Sequence, residues 1–359
     1  MQTGISVYPG LDNSLEENLQ LIEAAASHGI TRLFTSLHIP EMDAAAFKNE
    51  IGQLLQAARS HDMEIISDIS PVTLQLLGME HFSLSAFQFL GIRTLRLDYG
   101  YGTDEIAELS RNGQHMRIQL NASTITGQLL TELLHKKANF DNMDALHNFY
   151  PREGTGLSEE TLVRKTAMLH KAGIHVGAFI PSEHRRRSPL RRGLPTLEMH
   201  RDVSVSLAAR HLAAIGIDSV LIADSLPSED ELNVLQQLQG NRVTLRARLF
   251  SRDYGQISLL QNTFTSRIDE ARDAIRAQES RSLAKEAGLQ IEPENTKVRP
   301  HGAVTLDNKN YPRYAGELQI IKRPQPADER TNVAAQVLDE ECFLLNYIIP
   351  GKKFAFEFI

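Results

Sequence analysis

Along the first two thirds of the chain, short apolar and β-branched runs alternate with longer stretches whose apolar positions repeat at helical spacing. Parallel strands joined by crossover helices read this way. Eight strands are expected, near residues 4–8, 32–37, 64–69, 94–99, 117–121, 145–149, 175–180 and 219–223. Between them, residues 14–28 and 158–172 place apolar side chains on one helical face, and Ser14 and Ser158, each with a glutamate close behind, suit helix starts. Gly29, Gly91, Gly173 and Gly216 stand just ahead of strands, where helix terminators belong. Eight such units in roughly 230 residues match a closed (β/α)8 barrel. An open doubly wound sheet is the alternative, disfavoured because no glycine-rich dinucleotide fingerprint follows the first strand.

Near Gly240 the rhythm changes. A strand at 242–249 and a helix-like stretch at 266–288 are followed by alternating patterns at 298–306, 315–321, 332–338 and 353–359, with a turn at Asp307-Asn308. The expected architecture is α/β: a TIM-like (β/α)8 barrel over residues 1–240 and a smaller β domain over 241–359.

Composition narrows the function. The chain has 359 residues, of which 42% are hydrophobic, enough for two cores. Its 38 Lys and Arg against 45 Asp and Glu give a net charge of -7, which argues against wrapping nucleic acid, so any anion site is local. The single cysteine, Cys342, cannot form an internal disulfide; a buried structural thiol in a reducing compartment is expected. Met1 to Gly4 lead straight into a strand-like run without a signal segment, and no apolar run has the length of a membrane span, so a cytoplasmic protein is expected. The scattered histidines form no metal-binding motif, and neither a metal nor a cofactor is expected.

In such barrels the residues just after each strand share one mouth. Here these are Tyr8, His38, Glu41, Asp68, Asp98, Tyr99, Asn121, Asn148, Tyr150, Arg152, Glu153, Ser182, Asp224 and Ser225. Converging carboxylates suit acid and base catalysis, because crowding and burial hold one protonated while another stays ionised. Asp98 and Glu153 rank first, then Asp68; the competing role for each is an N-cap or an ion-pair partner at a turn. The run 182–193 after strand seven carries five arginines, which read either as a phosphate site or as a solvated lid. Arg192, close to Leu194-Pro195-Thr196-Leu197-Glu198, is the better single candidate. In the second domain, Arg299, Arg313, Tyr314 and Glu317 offer a sugar or phosphate surface, or else a hairpin with a cross-strand ion pair.

Read together, these motifs resemble the bacterial 6-phospho-N-acetylmuramidases, glycoside hydrolase family 170. The resemblance rests on Gly4-Ile5-Ser6-Val7-Tyr8-Pro9, Leu33-Phe34-Thr35-Ser36-Leu37-His38-Ile39-Pro40-Glu41, Asp68-Ile69-Ser70-Pro71, Leu95-Arg96-Leu97-Asp98-Tyr99-Gly100 and Leu120-Asn121-Ala122-Ser123-Thr124. It continues through Asn148-Phe149-Tyr150-Pro151-Arg152-Glu153-Gly154-Thr155-Gly156-Leu157-Ser158, Gly193-Leu194-Pro195-Thr196-Leu197-Glu198, Ile222-Ala223-Asp224-Ser225 and Arg313-Tyr314-Ala315-Gly316-Glu317-Leu318-Gln319. The resemblance implies a TIM-like barrel with a cyclophilin-like β-barrel domain. It also implies cytoplasmic cleavage of N-acetylmuramic acid 6-phosphate from N-acetylglucosamine in a phosphorylated disaccharide, as part of cell-wall sugar recycling. The loop 184–192 is richer in arginine than is usual for that family. On this reading Asp98, Glu153 and Asp68 are the candidate catalytic carboxylates. Asn121, Asn148 and Tyr150 are expected to hold hydroxyls or the acetamido group, and Arg152, Arg192 or Arg313 the phosphate, with Ser182, Glu198, Asp224 and Glu317 also among the substrate contacts. A barrel aldolase or isomerase would need a strand-end lysine or a metal, and no strand end named above carries lysine. A phosphosugar sensor is the non-enzymatic rival.

Overall fold

The computed structural model describes residues 1–37, 44–69, 73 and 82–359. The chain divides into two compact units, Met1–Leu212 with Ile217–Leu238, and Gln239–Ile359 with Ala213–Gly216. In the first, β1 (Gln2–Ser6), β2 (Arg32–Ser36), β3 (Glu64–Ile69), β4 (Thr94–Leu97), β5 (Arg117–Asn121), β6 (Met143–Leu146), β7 (His175–Ile180) and β8 (Ser219–Ile222) form a closed barrel in sequence order. Neighbours run parallel throughout, and β8 closes on β1 with Gln2 opposite Ser219. Each strand leads into a helix: α1 (Leu15–Ser27), α2 (Ala44–Ser60), α3 (Leu84–Phe89), α4 (Thr103–Ser110), α5 (Gly127–His135), α6 (Glu159–Lys171), α7 (Val205–Ile215) and α8 (Glu229–Gln237). Among the described residues no helix is long and apolar enough to cross a membrane.

Local chemistry sets the helix ends. The Ser14 hydroxyl accepts from the Glu17 amide while the Glu17 carboxylate accepts from the Ser14 amide, and Ser228 with Glu231 repeats this reciprocal cap at α8. Ser158 caps α6 in the simpler way. Gly29 and Gly173 follow α1 and α6 with φ of 69° and 80°, a left-handed turn that releases the chain into the next strand.

The barrel interior is layered. At its amino-terminal end, the buried Arg32 guanidinium is filled on every nitrogen: Nε and Nη2 donate to Glu64 at 3.0 and 3.2 Å, Nη2 to Asp144 at 3.0 Å, and Nη1 to Ser219 Oγ at 3.2 Å. Thr94 Oγ1 adds a 2.6 Å bond to Glu64. Burial pushes the Asp144 carboxyl up, whereas at Glu64 the effect of burial is outweighed by Arg32 and Thr94, and that carboxyl is held down. Above lies an apolar layer containing Phe34, Ile66, Leu146, Phe179 and Leu221, with the rings of Phe34 and Phe179 edge to face at 5.2 Å.

The second unit is a curled seven-stranded sheet of β9 (Arg242–Leu249), β10 (Phe264–Thr265), β11 (Ala274–Arg276), β12 (Ala303–Asp307), β13 (Leu318–Ile321), β14 (Thr331–Val337) and β15 (Lys353–Phe358), in the order β10-β15-β9-β14-β12-β13-β11. The two outermost strands meet each other: Arg267 N donates to Arg276 O at 3.0 Å, Gln278 N to Thr265 O at 2.9 Å, and Ser266 bridges Ala277. This corrects the helix expected over 266–288. The segment holds β10's continuation, β11 and the short α10 (Ser280–Glu286), while a further helix, Tyr254–Leu260, precedes it. Edge pairing overrides the helical pattern there, and Asp269, gripped by Arg267 at 2.9 Å and Arg276 at 2.7 Å, fixes the turn.

Candidate active site at the barrel mouth

Asp68 lies one residue from the end of β3, Arg96 within β4, Asp98 just beyond β4, and Asn121 at the end of β5. Arg96 is buried and reaches three strand ends at once. Its Nη1 donates to Asp68 Oδ1 at 2.6 Å and to Asp98 Oδ1 at 3.4 Å, and its Nη2 donates to Asn148 Oδ1. Asn121 Nδ2 lies 3.5 Å from Asp98 Oδ1, and its own Oδ1 accepts from the Ser123 amide at 3.0 Å. Ser123 Oγ in turn accepts from the Asn148 amide at 2.9 Å and contacts His147 Nδ1 at 3.2 Å. Burial keeps His147 neutral, with a pKa lowered to about 3. Three expected residues, Asp68, Asp98 and Asn148, therefore meet around one guanidinium, and a fourth, Asn121, joins them through Asp98. Asp68 is buried, but Asp98 retains 28% of its side-chain exposure and, with Asn121, Tyr99, Tyr101 and Thr124, lines a cavity of about 160 Å³.

The loops after β6 and β7 are built differently. Glu153 pairs with Arg192 on the surface, and this contact lowers the Glu153 carboxyl's pKa and keeps it ionised. Glu198 is bound by Arg201, with Nε at 2.7 Å and Nη2 at 2.8 Å, and accepts from the Gly154 and Gly156 amides at 2.8 and 2.7 Å. Arg201 first, and then those amides, hold the carboxyl at about 2 despite its partial burial. A Cβ on Gly156 would sit 2.6 Å from Glu198 Oε2, so only glycine lets the loop come this close. Arg201 also donates to the carbonyls of Tyr150 and Arg152 at 3.0 and 3.2 Å and to that of Gly193 at 3.0 Å, clipping the two loops together.

Asp224, after β8, accepts the amides of Ser182 and Arg187 at 2.9 Å and Leu194 at 3.2 Å. Ser182 Oγ donates to Glu231 at 2.8 Å. Ser182, Glu198 and Asp224 thus spend their polar atoms on loop main chain and helix caps, the geometry of positioning residues. Ser225 donates instead to a side chain, the Asp12 carboxylate, at 2.9 Å. Arg152 is exposed, and Tyr150 is half-buried. His38 and Glu41 lie outside the described residues.

The arginine run is not a free lid. Arg185 pairs with Glu17 at 2.8 Å, and Arg186 donates to the carbonyls of Ser182 and Arg201 at 3.0 and 3.1 Å. Arg187 turns inward, its guanidinium over the rings of Tyr8 and Phe149 at 4.8 and 5.0 Å. Arg96 was not among the expected site residues, and Arg187 was expected only as one of the five arginines of the run 182–193. A signal for Arg96 was present: Thr94, Arg96 and Asp98 alternate along one strand, so an interior-facing cation shares its face with a candidate acid. Nothing in the run 185–187 marks its third arginine as the buried one.

In the second unit, Glu317 is buried, with Arg281 Nη1 at 3.7 Å and Gln319 Nε2 at 3.4 Å. Arg313 is exposed beside Tyr314 and lines a cavity of about 500 Å³ with Arg267, Arg281 and Lys285. In place of the cross-strand pair considered for this turn, Glu317 meets Arg281 from the helix Ser280–Glu286. The half-buried Cys342 has its thiol pushed up to about 11, first by burial and then by Asp339, Glu340 and Glu341, which leaves it a poor nucleophile.

A closed parallel barrel with aspartates and amides gathered at its carboxyl-terminal mouth is the (β/α)8 architecture, whose enzymes carry their sites at that end. Residues 3–237 match the family described as 6-phospho-N-acetylmuramidase, N-terminal, and residues 243–357 match 6-phospho-N-acetylmuramidase, C-terminal. The chain belongs to this glycosidase family. No curated protein matches it. An uncharacterized Bacillus cereus protein of known structure is 31% identical over 99% of both chains, with a TM-score of 0.86. A conserved Enterococcus faecalis protein of unknown function is 32% identical over 100% of this chain and 96% of its own, with a TM-score of 0.69.

Proposed function

We propose that the protein hydrolyses the bond between 6-phospho-N-acetylmuramic acid and N-acetylglucosamine in a phosphorylated disaccharide, a cytoplasmic step of cell-wall sugar recycling. The observation that carries this reading is the cluster in which Arg96 gathers Asp68, Asp98 and Asn148 beside a cavity that Asp98 lines. Asp98, the more exposed of the two aspartates, transfers the proton to or from the glycosidic oxygen. A second carboxylate completes the chemistry as base or nucleophile. Asp68 reaches Asp98 through a shared nitrogen, while Glu153 is kept ionised by Arg192 and is suited to the basic role. Asn121, Asn148 and Tyr150 hold hydroxyls or the acetamido group. Arg152 or Arg192 in the barrel unit or, alternatively, Arg313 beside Glu317 in the second unit is the phosphate ligand on this reading.

Incubation with the phosphorylated disaccharide should release free N-acetylglucosamine, and Asp98→Asn should abolish that release. Persistent release in both Asp98→Asn and Glu153→Gln would remove these assignments. Binding without release would make the protein a phosphosugar sensor.

A further inference from the structure

Arg187 is 8% exposed, and its surroundings leave its charge unanswered. Nε is sealed from solvent without a hydrogen-bond partner, and the guanidinium makes no ion pair among the described residues. Asp224 takes Arg187's main-chain amide at 2.9 Å, and the hydroxyl of Tyr8, whose ring lies under the guanidinium, donates to Ala223 O at 2.7 Å. Tyr8 cannot supply a negative charge, because burial pushes its phenol up to about 12. Two aromatic faces lie against the guanidinium, and such contacts return less than the desolvation of a buried cation costs.

The position is fixed from outside. The Arg187 amide is held by Asp224, the Ser188 amide donates to Asp12 at 2.8 Å, and the Arg191 amide donates to Arg187 O at 3.1 Å. The rings beneath it belong to the top of the barrel core, where Tyr8 and Phe149 pack against Phe34 and Phe179. Fork-shaped donors held rigidly, desolvated and, among the described residues, without a counterion are what a bidentate oxyanion site requires before its ligand arrives.

We propose that Arg187 is the preformed seat for an oxyanion group of the substrate at the barrel mouth, and thereby a specificity-determining residue. This rests on the reading of the protein as a 6-phospho-N-acetylmuramidase and assigns the principal anion contact to a residue other than Arg152, Arg192 or Arg313. Two groups on that sugar share the chemistry, the 6-phosphate and the lactyl carboxylate, and substrate analogues separate them.

The test compares wild type with Arg187→Met, which keeps the side chain's bulk against the two rings, and with Arg187→Lys. On the phosphorylated disaccharide, KM should rise roughly 10- to 100-fold in Arg187→Met, the loss of a charge-assisted hydrogen-bond pair, with Arg187→Lys in between. The melting temperature should hold or rise, since the substitution removes a buried unpaired charge. If the phosphate is the ligand, the unphosphorylated disaccharide is handled alike by all three proteins. If the carboxylate is the ligand, that substrate weakens too, and a phosphorylated analogue lacking the lactyl group does not. Unchanged KM for every substrate in Arg187→Met overturns the proposal, as does a lowered melting temperature with unchanged KM, which would make Arg187 a structural plug. Should the wild type not cleave the disaccharide, titration with inorganic phosphate and with lactate separates the two claims. A thermal shift present in wild type and absent in Arg187→Met upholds the oxyanion seat while the hydrolase reading falls; the same shift in both, or in neither, ends it.

Discussion

The two ends of the barrel treat buried arginine in opposite ways. At the base, Arg32 is saturated by Glu64, Asp144 and Ser219, a closed set of charges with nothing left for a ligand. At the mouth, Arg96 shares one nitrogen between two aspartates and leaves Nε unpartnered, and Arg187 has no acid partner among the described residues. The same side chain at similar burial is a staple in one place and an open valence in the other. The difference is how many acceptors the fold brings to it. This matches the division of labour in (β/α)8 barrels, with stability below and chemistry above.

The sharpest way to test that division is at the mouth. Asp98→Asn should lower kcat by roughly 10²- to 10⁴-fold, the range for a lost acid or base, with little change in melting temperature. An inactive variant that is also unfolded would blur the two ends. At the base the reverse is expected: Arg32→Met strands two buried carboxylates and should cost about 3–5 kcal/mol of stability by denaturant titration, while the folded fraction keeps its kcat. A kcat loss without a stability loss would show that the base takes part in the reaction.

A smaller effect is expected at Glu198, whose carboxyl is held at about 2 against an ordinary value of 4.5. A depressed folded value means that its contribution is present above pH 4.5 and disappears as pH falls towards 2. Glu198→Gln should therefore cost about 1–2 kcal/mol at pH 7. The gap in melting temperature between variant and wild type should close as the pH is lowered through that window. Equal gaps at pH 7 and pH 3 would mean that the charge is not what holds the loops. Least affected should be stability in Glu153→Gln: a solvent-screened pair with Arg192 should leave the melting temperature nearly unchanged, so a large kcat loss in this variant would identify Glu153 as chemical rather than superficial.

Much of this was legible in the residues themselves. Strand periods and helix caps placed all eight barrel units, three of the strands to the residue, because propensity, capping and burial agree there. The helix expected over 266–288 failed where they disagree: its pattern is helical, but pairing between the two ends of a curled sheet decides the outcome, and no local window contains both ends. The site divides in the same way. Polar strand ends pointed to Asp68, Asp98, Asn121 and Asn148, which do converge. The same rule selected Ser182 and Asp224, and the family resemblance added Glu198; their partners are main-chain amides, an arginine and a helix cap, because a sequence shows which atoms can bond but not where they turn. Arg187 was hidden for the converse reason: three arginines in a row look alike until one of them is folded inward.

The clip made by Glu198 and Arg201 has a consequence for how such an enzyme can change. Because one ion pair holds main-chain atoms from Tyr150 to Gly156 on one side and Gly193 on the other, a mutation that reshapes either segment drags its neighbour with it. New preferences along this rim are therefore inherited by both segments or by neither.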